Sequence, residues 1–386
     1  MRIAFFRSER AGCGHYRIRL PYKALKAAGY DVELFDTYGV VERWNGNKRV
    51  HVPVAKIDDP LRVDGQDLID LGYFDIIVFQ LLWDEKLYGF IQILQALGKK
   101  VVIDMDDDYT CLPSTNPAYY LQHPKCEVLR DDKNKIVKII MHNKVVNNRM
   151  EILTKALNIA DAITVSTPEL RDTYRNFNPN VYVCYNKIDL SEYQLIRQRR
   201  NKPVIGWAGS TTHIDDLKEI TGLPESLRRE GYSFKFAIAN FKDGLKLFEF
   251  ADFIPGTDIF NYPKILTNFD IGLVPLRDCK FNSGKSEIKG MEYNALGIPF
   301  VASNIAPYRR YVRHGENGFL VKENRLKHWL KYVKLLLDRK IREEMSHKAL
   351  EIVSGYDVYK NYKQWSDVYY EVLNGNSRSN IRVCTG

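Results

Sequence analysis

The chain has 386 residues, of which 45% are hydrophobic and 27% charged, with a formal net charge of +9. This length exceeds what one ordinary hydrophobic core serves, so we expect two domains. The composition predicts a globular chain with a polar tail after Leu373. No apolar run reaches the roughly 20 residues of a membrane-spanning helix, and the N-terminus lacks a signal-peptide core. We therefore expect a cytoplasmic protein.

The six cysteines are scattered without a CxxC pair, so their spacing indicates neither a zinc site nor a disulfide framework. We therefore expect reduced thiols. The excess positive charge favours polyanionic partners: nucleic acid, an anionic membrane surface or phosphorylated substrates. Basic clusters such as 197–202 are either a binding surface or solvated faces.

Apolar strands alternate with helical patterns along the chain, which is typical of doubly wound α/β domains. In the first half, a strand at 2–6 precedes a glycine turn at 12–14 and a helix from about 16 to 28. Further buried strands are predicted at 31–35, 75–80, 100–104, 162–166 and 181–185. The polar, basic stretch after them predicts an interdomain linker.

A second set begins with a strand at 204–208, a small-residue turn at 209–212 and a helix from near Ile214, a layout that lets backbone amides meet a phosphate. Strands are predicted at 234–238, 271–274 and 300–303, and helices at 325–338, 340–354 and 358–373. The predicted limits are a first domain at 1–188, a linker at 189–203, a second domain at 204–355, a C-terminal helical segment at 356–373 and a flexible tail at 374–386.

The segment 281–301 carries charge at helical spacing. Lys285, Lys289 and Glu292 recur at i, i+4 and i+7, which predicts one charged face of an amphipathic helix. We expect this helix to begin at 283 or 284 and to end at Gly297. Lys285 and Ser286 would then lie in the first turn, where the helix dipole favours an anion. The alternative is a solvated surface helix.

Three motifs compete with this interpretation. The turn at 12–17 begins like a dinucleotide fingerprint but has Arg17 where the third glycine belongs. A P-loop that would end at Lys285 and Ser286 has Cys279 in place of its first glycine. The acidic run at 104–108 could hold a divalent metal, but we favour a loop that positions hydroxyls or arginines.

Several segments together resemble one enzyme class. They are VIGWAGSTTHIDDL (204–217), FDIGLVPL (269–276), FNSGKSEIKGMEYNALGIPFVAS (281–303) and HGENGFLV (314–321), with weaker likeness in GCGHYRIRLPYKALKAAGYDV, ADAITVSTPEL and VCYNKIDLSEY. The chain resembles retaining GT-B glycosyltransferases of the family 4 or "group 1" type. The resemblance implies an α/β GT-B fold, with two Rossmann-like domains facing an interdomain cleft and a C-terminal helix that crosses back to the first domain.

The resemblance also implies roles for matched residues. On the donor side it implies binding by Gly209, Ser210, Thr211, Ser286, Glu292 and Tyr293. It implies catalytic roles for Lys285, Lys289 and Asp106, and acceptor-side roles for Gly14, His15, Arg17, Asp107 and Asp108. Glu292 matches the second glutamate of the family's Glu-x7-Glu motif, whereas Gly284 replaces the first. The turn after Gly209 also lacks the Arg or Lys of many members, so the lysines carry more of the expected chemistry.

The expected reaction transfers a hexose-type sugar from a UDP- or GDP-sugar with retention, without a resident cofactor and without a required metal. Similarity to bacteriophage-encoded members, together with the basic charge, favours a hydroxymethylated pyrimidine in DNA as acceptor. One alternative is synthesis of a surface polysaccharide or lipid-linked glycan at an anionic membrane. The other is a non-catalytic GT-B binding module.

Overall fold

The structure is a computed structural model that describes residues 1–36, 40–45, 48–53, 71–83, 85–131, 136–197 and 200–375. Nearly all of the predicted tail and two residues of the predicted linker, 198–199, lie outside this part of the chain. The chain divides into two compact units. Unit 1 comprises Met1–Asp106, Asn147–Tyr185 and Asn361–Gly386, and unit 2 comprises Asp107–Val146 and Asn186–Lys360. The predicted domain limits stay predictions.

The strands match most of the predicted ones to within two residues. In chain order they are β1 (Arg2–Arg7), β2 (Asp31–Asp36), β3 (Val40–Asn45), β4 (Lys48–Pro53), β5 (Ile76–Gln80), β6 (Lys100–Met105), β7 (Cys126–Arg130), β8 (Ile136–Met141), β9 (Ala162–Val165), β10 (Val181–Val183), β11 (Val204–Ala208), β12 (Lys235–Ala239), β13 (Ala251–Ile254), β14 (Ile271–Val274), β15 (Phe300–Ala302) and β16 (Gly318–Leu320). The sequence did not predict the antiparallel hairpins β3–β4 and β7–β8 or the outer strands β13 and β16.

The α-helices connect these strands. They are α1 (Gly12–Gly14), α2 (Leu20–Ala27), α3 (Glu85–Ala96), α4 (Pro117–Gln122), α5 (Arg149–Ile159), α6 (Pro168–Tyr174), α7 (Ile214–Leu217), α8 (Leu223–Arg229), α9 (Tyr262–Leu266), α10 (Lys280–Ser283), α11 (Ile288–Ala295), α12 (Ala306–Tyr311), α13 (Leu326–Leu337), α14 (Arg339–Val353) and α15 (Lys363–Leu373). A π-helical turn, His15–Arg19, joins α1 to α2. Among the described residues, no helix combines the length and apolar character needed to cross a bilayer.

Each unit contains a parallel sheet. The order in unit 1 is β10-β9-β6-β5-β1-β2, and the order in unit 2 is β13-β12-β11-β14-β15-β16. Both are doubly wound orders, in which ligands bind beyond the carboxyl ends of the strands. In unit 2 the two faces of β11 are buried in different cores, with Trp207 on one side and Ala208 on the other. Burial on both faces explains why these strands read as continuous apolar runs.

The C-terminal helix α15 belongs to unit 1, as the predicted GT-B topology requires. The ring of Tyr369 packs edge-on against Phe5 of β1 at 6.0 Å between centroids. Tyr182 donates a hydrogen bond to Glu371 at 3.2 Å. The helix begins at Lys363, so the prediction of a helix from 358 was wrong at its start. The backbone N–H of Val358 instead donates to the carbonyl oxygen of Ile188 at 2.8 Å. Ile188 and Asp357 form an isolated parallel β-bridge there.

Candidate functional site

The carboxyl end of β11 runs into the predicted glycine turn. A Cβ at Gly209 would lie 2.5 Å from the indole of Trp207, so the turn has room only for glycine there. Ser210 and Thr211 follow at the surface. The hydroxyls of Ser210 and Thr212 share a hydrogen bond of 2.7 Å. The strand end therefore presents a compact turn with exposed hydroxyls.

The predicted helix over 283–297 is two helices, which corrects its predicted start. Helix α10 ends at Ser283 and α11 begins at Ile288. Lys285 and Ser286 therefore lie in the connection between them and outside a first helical turn. Glycine and serine are weak helix formers in an interior, which favours a break here. At the other end Gly297 adopts φ +62°, which confirms the predicted left-handed stop.

Lys289 contacts the backbone directly before the glycine turn. Its Nζ donates to the carbonyl oxygen of Ala208 at 2.5 Å and lies 5.8 Å from the centre of the Trp207 ring. Burial lowers the pKa of Lys289, the charge of Glu292 opposes this shift, and the charge of Lys285 adds to it. A partly desolvated ammonium at a strand end gains energy from a bound anion.

Lys285 pairs with one of the predicted acceptor-side aspartates. Its Nζ lies 3.1 Å from Oδ1 of Asp107 and 4.4 Å from the centre of the Phe281 ring. The two charged side chains are 17% and 24% exposed, so the pair is partly accessible to solvent. The structure thus brings a predicted catalytic lysine and Asp107 together within unit 2.

The remaining predicted donor residues are more deeply placed. Glu292 is 4% exposed, and its charge acts on Lys289. Tyr293 is fully buried, with its hydroxyl donating to the Gly206 carbonyl at a long 3.5 Å, and burial raises its pKa. Ser286 accepts a hydrogen bond from Nδ2 of Asn186 at 2.8 Å. Tyr293 is therefore part of the core in this structure.

A histidine and an aspartate beside the turn were missed by the sequence reasoning. His213 Nδ1 lies 2.7 Å from Oδ2 of Asp216. The other carboxylate oxygen accepts from the Arg277 backbone N–H at 2.8 Å and from Asn282 Nδ2 at 2.7 Å. The spacing of i and i+3 directly after the glycine turn was the signal that could have identified the pair.

In unit 1 the predicted acceptor residue Arg17 is buried. It makes a bidentate pair with Asp104, at 2.9 Å from Nε and 2.7 Å from Nη2, and donates to the Cys184 carbonyl at 2.5 Å. Burial by itself lowers the pKa of Arg17, and the charge and hydrogen bonds of Asp104 outweigh this and raise it. The guanidinium is thus committed to the core of the unit.

Two other predicted acceptor residues lie at the start of the same helical segment. A Cβ at Gly14 would lie 1.9 Å from the Glu9 carbonyl oxygen, so glycine is required by close packing. His15 is 2% exposed, with Nδ1 3.4 Å from Nη1 of Arg19. The structure therefore holds both in a packed turn after β1.

The acidic run after β6 is divided between the units. Asp106 ends a segment of unit 1, whereas Asp107 and Asp108 begin a segment of unit 2. Asp108 is buried and accepts hydrogen bonds from the backbone N–H and hydroxyl of Thr110 at 3.0 and 2.5 Å. In the described part of the chain, no three His, Cys, Asp or Glu side chains are grouped to hold a metal ion.

Solved structures identify the class of fold. The chain is similar to a sucrose-phosphate synthase from Thermosynechococcus elongatus at 12% identity, covering 97% of this chain and all of the other, with a TM-score of 0.61. It is also similar to Anabaena HepE in complex with UDP-glucose at 12% identity, covering 96% of this chain and 100% of the other, with a TM-score of 0.58. The predicted GT-B fold is confirmed.

Sequence comparison finds a family match for one segment. Residues 283–351, which begin beside the lysine pair, match the family "Glycosyl transferases group 1". An uncharacterized glycosyltransferase of Haemophilus influenzae is 31% identical over 80 residues, a match that spans 20% of this chain and 23% of that relative. These findings support the prediction that the chain is a glycosyltransferase.

Proposed function

We propose that this protein transfers a sugar from a nucleotide-sugar to an acceptor hydroxyl. The observation that carries the proposal is the position of Lys289, whose ammonium lies against Ala208 at the carboxyl end of β11. Lys285 is near enough for its charge to lower the pKa of Lys289. Two cations beside a glycine turn at a strand end suit a diphosphate.

The chemistry follows from this charge. Breaking the bond between the sugar and the nucleoside diphosphate builds negative charge on the leaving phosphate and positive charge on the sugar ring. Fixed cations in a partly desolvated site stabilise such a leaving group, which typically lowers the activation free energy by several kcal/mol. In this proposal Lys289 and Lys285 face the phosphates, with retention of anomeric configuration.

The donor is proposed from the neighbouring carboxylate and from the solved structures. Glu292 is buried beside Lys289, where a carboxylate can accept hydrogen bonds from ribose hydroxyls. Because the similar HepE structure contains UDP-glucose, we propose a UDP-sugar first and a GDP-sugar second. Transfer of a hexose is part of the same proposal.

For the acceptor we propose a hydroxymethylated pyrimidine in DNA. The net charge of +9 supports a polyanionic acceptor, since a basic protein binds DNA through its phosphates. The catalytic role of Asp106 stays a prediction, as do the cytoplasmic location and the relation to bacteriophage enzymes. The acceptor-side roles also stay predictions, for Gly14, His15, Arg17, Asp107 and Asp108. Transfer to a glycan at an anionic membrane is the competing outcome.

The test is a donor screen followed by mass spectrometry. UDP-glucose, UDP-N-acetylglucosamine and GDP-mannose are each incubated with the protein and hydroxymethylated duplex DNA, unmodified duplex or anionic vesicles carrying a lipid-linked glycan. The proposal predicts consumption of at least one donor, with the mass of that donor's sugar added to the modified nucleoside. Glycosylation of the lipid-linked glycan alone would show that the glycan, and not DNA, is the acceptor. No consumption of any donor would support a non-catalytic binding module.

A further inference from the structure

His213 and Asp216 form a largely buried pair in which the carboxylate also accepts hydrogen bonds from other residues. The two side chains are 15% and 6% exposed, with 2.7 Å between Nδ1 and Oδ2. Asp216 is anchored by the backbone N–H of Arg277, between β14 and α10, and by Asn282 on α10. A carboxylate held by two further donors fixes the orientation of the imidazole it binds.

This orientation leaves one ring nitrogen for a ligand. Because the Asp216 carboxylate accepts, Nδ1 carries a proton and Nε2 is the remaining nitrogen. The ring stands edge-on to Trp207 with 6.1 Å between centroids. The Nζ of Lys289 lies 5.8 Å from the centre of the same indole. His213 and Lys289 therefore lie around one aromatic side chain at the carboxyl end of β11.

The charges that face His213 come from three segments. Asp216 lies on α7, which begins directly after His213, Lys285 on the connection before α11, and Lys289 on α11. Burial lowers the pKa of His213, its hydrogen bond with Asp216 opposes this, and the charges of both lysines lower the pKa further. With no ligand, the imidazole is neutral near pH 7, and Nε2 carries no proton.

We propose that His213 takes up a proton from solvent when the diphosphate of the donor binds, and then donates a hydrogen bond from Nε2 to a phosphate oxygen. The inference rests on the proposed function. The two negative charges of the diphosphate offset the charges of the two lysines and attract a proton to the imidazole, which counters the burial and the repulsion that together keep the ring neutral. No covalent bond forms or breaks, and the proton returns to solvent when the diphosphate leaves. The imidazolium thus supplies the cation that the turn after Gly209 lacks.

Calorimetric titration tests this proposal. The probes are UDP-glucose, UDP-N-acetylglucosamine and GDP-mannose, added at pH 7 in buffers of different ionisation enthalpy. Both phosphates of these probes are esterified and do not titrate near pH 7, so the buffer dependence reports protons bound by the protein. The wild type should take up a large part of one proton per bound donor. His213→Gln should abolish the uptake and weaken binding by about tenfold.

The matched control is His347→Gln, which alters an exposed histidine on α14. It should leave the affinity and the proton uptake unchanged. Binding by the wild type without proton uptake, or equal uptake by folded His213→Gln, would overturn the inference and leave the proposed function standing. Absence of binding by all three probes would overturn both. The absence of proton uptake by the wild type overturns the inference even when the variant fails to fold.

Discussion

Arg17 and Asp104 form a buried bidentate ion pair in unit 1, with side chains that are 1% and 3% exposed. The same carboxylate accepts a hydrogen bond from the hydroxyl of Thr164 at 2.7 Å. These bonds connect the π-helical turn His15–Arg19 to β6 and β9. The arginine that breaks the dinucleotide fingerprint is therefore a structural element of the core.

Removing one partner of this pair should strongly destabilise the protein. Arg17→Met leaves the Asp104 carboxylate buried without its cation, a change that typically costs about 3–5 kcal/mol. Urea unfolding followed by circular dichroism measures the loss. The control is Arg2→Met, which breaks the partly exposed pair of Arg2 with Asp75, whose side chains are 40% and 29% exposed, and should cost far less. Equal losses for the two variants would contradict the structural role of Arg17.

Gly209→Ala should impair both packing and donor binding. The added methyl group would lie 2.5 Å from the Trp207 ring, so the indole or the turn must move. Overpacking of this kind costs about 1–3 kcal/mol and displaces the strand end that contacts Lys289. Thermal unfolding and titration with UDP-glucose measure the two effects.

The control for this change is Gly355→Ala, since a Cβ at Gly355 would meet no atom within 4 Å. Its stability and donor affinity should match the wild type. A Gly209→Ala protein with wild-type stability and affinity would show that the turn tolerates a side chain.

The cysteines should differ sharply in reactivity. Burial raises the pKa of the Cys184 thiol to about 12, while Cys13 is exposed. Since the thiolate is the reactive form, native protein at pH 8 should be alkylated by iodoacetamide at Cys13 and spared at Cys184. Peptide mapping by mass spectrometry, with urea-unfolded protein as the control, measures both. Equal labelling in the native protein would show that Cys184 is accessible.

The sheets could be predicted because their strands are buried on both faces and appear in the sequence as apolar runs. Val204–Ala208 and Ile271–Val274 were predicted to the residue. Gly297 was also found, because a left-handed stop has a strong preference for glycine. Outer strands such as Ala251–Ile254 are only partly buried and give a weaker pattern.

Much of the site depends on contacts that spacing does not reveal. Asp216 is held by Arg277 and Asn282, which lie more than 60 residues further along the chain. Lys285 meets Asp107 across 178 residues. The spacing of Lys285 and Lys289 predicted one continuous helix and missed the break at 284–287. Periodicity carries no information on where a helix is interrupted.

The most direct test of the account is the rate of sugar transfer by Lys289→Met, measured as nucleoside diphosphate release with the donor and acceptor found in the screen. The control is Lys264→Met, which removes a surface ammonium of α9 bonded to Asn261. Circular dichroism and thermal unfolding confirm that both variants are folded. We expect at least about a tenfold loss for Lys289→Met and no loss for the control. A wild-type rate for folded Lys289→Met would contradict the role proposed for this lysine.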